Sequence, residues 1–316
     1  MQSNTIKSLT VSFGRSGQVG NKPSLRLRAQ RRTGLMLSAP AAFLMILLVL
    51  LPSSTVIILS LTDYQLGLGQ SRYIGTDNYK AMLADPGFRQ SLRNTAVYVA
   101  TVAPLSIGLG LIFALMIEAR VTFKAWYRTV FFLPVTATLV AMATAWEVLF
   151  HPTFGLINTV LAIVGIDKVR FLANPNTALF SLAAIGIWKQ IGFNLILFLA
   201  GLSTIPRDLY EAASIDGADR GWRKFLLVTW PMLGPVTLFI VVITLIRAVS
   251  EFETVAVLTD GGPIRSTNVV LFMLYEEAFR YLKIGTGSAI AVMFLVCVAL
   301  LTWLQMSLAN RKVHYV

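Results

Sequence analysis

At 316 residues the chain is 56% hydrophobic and only 13% charged, about half the ~25% charged content usual in soluble globular domains. That balance excludes a single water-soluble core, and the lone cysteine, Cys297, excludes an intrachain disulfide framework or a cysteine-based metal site. The net charge of +12 follows topology and is no nucleic-acid footprint: bases gather before Leu35, in 118–129, in 203–227 and after Ala309, whereas the intervening loops 62–95, 151–177 and 250–287 together balance acids against bases.

In chain order, residues 1–34 have the Ser, Gly, Arg and Lys content of a disordered tail. Arg26, Arg28, Arg31 and Arg32 are expected near lipid headgroups. Six apolar segments follow: Leu35–Leu61, Ala96–Ile117, Val130–Phe150, Ala178–Leu202, Val228–Val249 and Ser288–Leu308. Each reaches the ~20 residues that carry a helix through bilayer hydrocarbon. The runs are continuous in Leu, Ile, Val, Ala and Phe and do not alternate with period two, which predicts helices and not barrel strands. The first exceeds the length of a signal-peptide apolar region and is expected as an uncleaved span. The fold class is therefore all-α, a polytopic membrane helical bundle of six transmembrane helices spanning 35–316. The excess of Lys and Arg places both termini in the cytoplasm.

The long hydrophilic loop between the fourth and fifth spans predicts a short helix over Arg207–Ile215. Ser203 or Thr204 is positioned to cap it, Pro206 suits its first turn, Asp208 complements the dipole, and Gly217 terminates it. Ile205, Leu209, Ala212 and Ala213 recur at helical spacing beside the charged Arg207, Asp208 and Glu211. Composition alone leaves two roles open, an interfacial linker on the membrane surface or a docking element for a partner.

Ionisable residues inside spans are costly and point to function. Lys189, Gln190 and Asn194 fall in the fourth span, while Thr244, Arg247 and Glu251 are spaced by three and four, as on one helix face. Two cations suit an anionic solute group such as phosphate, sulfonate or carboxylate. The alternative is a structural pairing of Arg247 with Glu251 and of Lys189 with Glu147. Glu147 as a proton carrier would make the chain an ion-coupled secondary transporter. A membrane enzyme is disfavoured: His151 and His314 lie far apart, no nucleophile–base or metal-ligand pattern emerges, and no Gly-x-x-x-x-Gly-Lys-Ser/Thr loop offers an ATP cradle. No catalytic, cofactor or metal residues are assigned.

The run Glu211-Ala212-Ala213-Ser214-Ile215-Asp216-Gly217-Ala218, followed by Pro231, resembles the EAA loop (here 203–231) of permease subunits in binding-protein-dependent ABC importers. Ile205-Pro206-Arg207-Asp208-Leu209-Tyr210 and Thr259-Asp260-Gly261-Gly262-Pro263 resemble the branch importing sugars and glycerol phosphates, as do Ile74-Gly75-Thr76-Asp77-Asn78-Tyr79, Asn94-Thr95 and Leu133-Pro134. A departure is Trp230 before Pro231, where the family usually has Leu-Pro. The resemblance implies a bacterial inner-membrane permease working with a second related permease, two cytoplasmic ATPase subunits and an external solute-binding protein. ATP and Mg would be bound by the ATPases and no cofactor by this chain. It further implies an ATPase-coupling role for Pro206, Arg207, Asp208, Glu211, Ala212, Ala213, Asp216 and Gly217. By analogy with maltose-importing relatives, it places Lys189, Gln190, Phe193, Asn194, Thr244, Arg247, Ala248 and Glu251 on the substrate pathway.

Overall fold

A computed structural model describes residues 25–119, 124–217 and 221–310. The expected tail lies outside the described residues through position 24, as does Ala218 of the loop motif. All regular elements among the described residues are helical: α1 (Leu25–Met45), α2 (Leu51–Leu59), α3 (Asp77–Ala84), α4 (Pro86–Glu118), α5 (Lys124–Thr136), α6 (Leu139–Leu149), α7 (Leu156–Ile163), α8 (Ala178–Ser203), α9 (Arg207–Ile215), α10 (Gly221–Lys224), α11 (Trp230–Met232), α12 (Gly234–Val249), α13 (Glu253–Leu258), α14 (Val270–Tyr275) and α15 (Ile284–Asn310).

The chain divides into two units, one ending at Ser54 and one running from Thr55. In the first unit α1 contains Pro40 and is followed by a π-helical turn over Ile46–Leu50. Among the described residues helix is already present at Leu25, ten residues before Leu35, where the first span was expected. The apolar stretch Thr33–Leu59 is long enough to cross a membrane.

In the second unit α4 and α8 form the central pair, with α5 and α12 packed on α8 and α4. The seam is polar at its heart. Asn194 on α8 is fully buried; its Nδ2 donates to Ser106 Oγ of α4 at 3.3 Å and its Oδ1 accepts from Thr244 Oγ1 of α12 at 2.9 Å. A side chain at Gly110 would begin 2.9 Å from the Asn194 Cβ, so the close approach of α4 to α8 needs glycine there. Leu, Ile and Phe side chains fill the space on both sides of this seam, among them Leu182 and Ile185 on one side and Leu195, Phe198 and Ile240 on the other.

Among the described residues five helical stretches are long and apolar enough to span: Thr33–Leu59, Pro86–Glu118, Ala178–Ser203, Gly234–Leu258, which is broken at Ser250–Phe252, and Ile284–Ser307. The sixth segment was expected as one rod over Val130–Phe150 and is instead a bent pair, Lys124–Thr136 and Ala141–Leu149, meeting at 99°. Thr138 is extended there (φ −66°, ψ 145°), and Pro134 withholds a backbone donor from the last turn of α5. The fifth span is likewise interrupted: helix begins at Gly221, passes a π-helical turn over Phe225–Thr229, and restarts at Gly234 after Leu233. Pro231 and Pro235 remove the N–H groups that a straight helix would use. α4 runs ten residues beyond its apolar core because Asp85 caps it, accepting from Gly87 N at 2.9 Å with Pro86 in the first turn.

Candidate functional site

Between the middle of α8 and the C-terminal end of α12 lies a cavity of 440 Å³. Lys189 and Gln190 come from α8, Arg247 and Ala248 from α12, Tyr98 from α4, Ser250 to Phe252 from the turn that follows α12, Glu253 from the start of α13 and Leu271 from α14. That turn decides the electrostatics. α12 ends at Val249, so Glu251 lies beyond it and does not complete the helical face expected of Thr244, Arg247 and Glu251. Its Oε2 accepts from Tyr98 Oη at 3.1 Å, and its Oε1 accepts from Thr254 Oγ1 at 2.7 Å and Thr254 N at 3.2 Å. The expected Arg247–Glu251 pair does not form. The Arg247 guanidinium instead sits 3.8 Å from the centre of the Phe193 ring, a cation–π contact worth about 0.5–2 kcal/mol. Among the described residues it has no carboxylate partner.

Lys189 is also paired differently from expectation. Its Nζ is 3.8 Å from Glu253 Oε2, and Glu147 lines a separate cavity with His151 and Pro263. The reason is rotational: α6 meets α8 through an edge-to-face contact of Trp146 with Trp188, centroids 5.5 Å apart. Glu147, one residue on, is turned ~100° around the helix and away from Lys189. His151 belongs to the loop after α6, stacked on Phe154 at 3.5 Å, with Nδ1 accepting from Thr153 N at 3.3 Å.

Of the eight expected pathway residues the structure thus brings Lys189, Gln190, Arg247, Ala248 and Glu251 to one cavity and places Phe193 beneath Arg247. Asn194 and Thr244 do not face it; they are bonded to each other inside the helix seam. Sequence reasoning missed Tyr98, Phe252 and Glu253. Tyr98 sits near the start of the second apolar run with no charge to mark it, and Glu253 counted as a loop residue until the turn folded it back. The cavity consequently carries two acids beside its two bases.

The other expected site is α9, which begins and ends where the sequence placed it. Its capping differs: Ser203 Oγ and Thr204 Oγ1 donate back to Ala200 O and Gly201 O of α8, and Pro206 occupies the cap position without a side-chain bond. Gly217, at φ +77°, takes the left-handed turn that stops the helix. One face is anchored, with Tyr210 and Ala213 packed toward Ile205 and Val228, Tyr210 Oη 3.3 Å from Thr229 Oγ1, and Lys224 Nζ 4.4 Å above the Tyr210 ring. Arg207, Asp208, Glu211, Ala212 and Ile215 remain exposed. Of the apolar residues at helical spacing, Leu209 and Ala212 are on this open face and Ile205 and Ala213 on the packed one.

Residues 106–314 match the family described as "Binding-protein-dependent transport system inner membrane component". The chain is 33% identical over 282 residues to the sn-glycerol-3-phosphate transport system permease protein UgpA of Agrobacterium fabrum, covering 89% of this chain and 95% of that one. It is 34% identical over 305 residues to the probable ABC transporter permease protein YesP of Bacillus subtilis, covering 95% and 97%. The fold superposes with a TM-score of 0.79 at 21% identity on a chain of a bacterial alginate ABC transporter solved with an alginate pentasaccharide-bound periplasmic protein, over 90% of this chain and 96% of that one.

Proposed function

The chain belongs to the binding-protein-dependent transport system inner membrane components, the permeases of ABC importers, and from that premise we propose that it forms half of the membrane pathway for a sugar-like solute carrying an anionic group. The observation that carries the anionic assignment is the state of Arg247. Glu251 is held by Tyr98 and Thr254, Lys189 is near Glu253, and Arg247 opens to the cavity on an aromatic ring without an ion pair among the described residues. A planar guanidinium so placed offers a bidentate site for phosphate, sulfonate or carboxylate. Gln190, buried to 8% exposure on the same wall, supplies an amide for hydroxyl groups. Similarity to glycerol-phosphate permeases supports the same class.

The complete machine consists of this chain, a second related permease, two cytoplasmic ATPases that bind ATP and Mg, and an external solute-binding protein, with both termini of this chain in the cytoplasm. The exposed face of α9 is the ATPase contact. Its anchored face ties to the start of the fifth span through Thr229 and Lys224, so a push on Glu211 would move that span as a body. An ion-coupled carrier is not favoured, because Glu147 does not reach the cavity where Lys189 and Arg247 meet.

Uptake of sn-glycerol 3-phosphate and of a neutral disaccharide by the reconstituted four-subunit complex tests the assignment. Arg247→Ala is expected to lose uptake of the anionic solute by at least tenfold if the guanidinium binds the anion directly, because a charge-assisted bidentate contact is lost and every ~1.4 kcal/mol is tenfold. Equal transport of both solutes by wild type and by a well-assembled Arg247→Ala complex overturns it.

A further inference from the structure

The solute cavity mixes its charges. Among the described residues its ionisable wall consists of Lys189 from α8, Arg247 from α12, Glu251 from the turn, Glu253 from α13 and Tyr98 from α4, while α14 adds the apolar Leu271. The two bases and two acids cancel in formal charge. A wall that served only to gather negative charge would carry no carboxylates, because like charges in one confined site repel.

Both carboxylates are placed by their neighbours. Glu251 accepts three hydrogen bonds, from Tyr98 Oη at 3.1 Å, Thr254 N at 3.2 Å and Thr254 Oγ1 at 2.7 Å. Tyr98 is itself locked between α4 and α8: it is fully buried, and a side chain at Gly186 would run into its hydroxyl. Glu251 is therefore a fixed negative charge on the wall. Glu253 stands 3.8 Å from Lys189 Nζ, at the wetter part of the wall, with 59% and 35% of the two side chains exposed. Water weakens that pair, but the carboxylate still offsets the charge of Lys189. Arg247, laid on Phe193, has no ion pair among the described residues. The first negative charge of a solute thus meets an open guanidinium. A second meets Glu251 and Glu253 with no further uncompensated cation on this wall.

We infer that the cavity counts charge: it accepts a solute with one negative charge, such as a sulfonate, a sulfate ester or a carboxylate, and disfavours a doubly ionised phosphate monoester, with Glu253 and Glu251 as the residues that set this limit. This rests on the anionic-solute reading and narrows it. Gln190 and Ser250 on the same wall remain for hydroxyl groups. Placing carboxylates against a competing ligand is the repulsive half of specificity, as Arg247 is the attractive half.

Titration calorimetry on the complete complex in nanodiscs compares sn-glycerol 3-phosphate with glycerol 3-sulfate, a solute of the same shape with one negative charge less at pH 8. Wild type is expected to bind the sulfate ester roughly tenfold more tightly. A phosphate monoester gives up its second negative charge near pH ~6, so at pH 5.5 the gap is expected to narrow severalfold. The sulfate ester, singly charged throughout, reports any effect of acid on the wall itself. Glu253→Gln removes one acid and releases Lys189, and it is expected to reduce the gap at pH 8 to about twofold or less. Equal affinity for the two esters in wild type at pH 8, or an undiminished gap in the assembled Glu253→Gln complex or in wild type at pH 5.5, overturns the inference. Failure of the anionic reading looks different, because wild type would then bind neither ester better than glycerol.

Discussion

α9 and the solute cavity teach opposite lessons about where function is encoded. α9 is nine consecutive residues between a proline and a positive-φ glycine. Its start, its stop and its charged face are local properties, and tertiary packing only selects Tyr210 and Ala213 as the anchored side. The cavity draws residues from five helices and a turn, and its charge balance depends on a single bend at Ser250–Phe252. A local element keeps its chemistry when its surroundings change, whereas an assembled one does not.

The contrast breaks most sharply at Glu211. Glu211→Lys reverses a charge on the exposed face of α9 and touches none of its packed residues. The expected result is normal membrane insertion with loss of solute-stimulated ATP hydrolysis in the assembled complex, because a close opposite-charge contact becomes repulsive. Normal coupled hydrolysis would remove Glu211 from the coupling path.

Next in size is the seam that carries the cavity. Asn194→Ala removes the acceptor of Thr244 and the donor to Ser106 where all three side chains are buried. The expected loss is about 1–3 kcal/mol in detergent-micelle unfolding, from interhelical bonds worth ~0.6–1.7 kcal/mol plus the penalty of unsatisfied hydroxyls. α9-dependent ATPase contacts should survive in folded complexes. Equal stability of mutant and wild type would show that water enters the seam.

A smaller effect separates the two carboxylates of the cavity. Tyr98→Phe frees one oxygen of Glu251 while its other oxygen keeps Thr254. Released Glu251 becomes available to Arg247, so the affinity for an anionic solute is expected to fall severalfold with little change for a neutral one. Titration calorimetry on the reconstituted complex reads the difference, and unchanged affinity for both would show that Tyr98 does not hold Glu251 in place.

The smallest effect lies outside both regions. The backbone N–H of Arg72, 2.6 Å from Asp63 Oδ1, is the main reason that the half-buried Asp63 carboxyl titrates below its ordinary range. Its contribution is present in full above the usual carboxylate pKa of ~3.9 and disappears as pH falls through the lower folded value. Amide exchange at Arg72 should therefore stay protected at pH 5 and lose protection in stronger acid, and the Asp63→Asn variant should show no such acid step.

Sequence by itself determined the class, the spans and α9. Twenty-residue apolar runs admit no other solution in a bilayer, and a proline, an acidic first turn and a terminal glycine bound a helix without reference to anything distant. Lys189 and Arg247 were also legible as functional candidates, since their cost in a span is a one-dimensional property. Only tertiary structure decided their partners. Extrapolating helical spacing past Val249 put Glu251 beside Arg247, but the helix stops and the chain turns to Tyr98. Counting apolar residues made Val130–Phe150 one rod, but an extended Thr138 folds it into two. Periodicity holds only as far as the backbone keeps its hydrogen bonds. Where the helix ends, the neighbours of a side chain are set by elements far away in sequence.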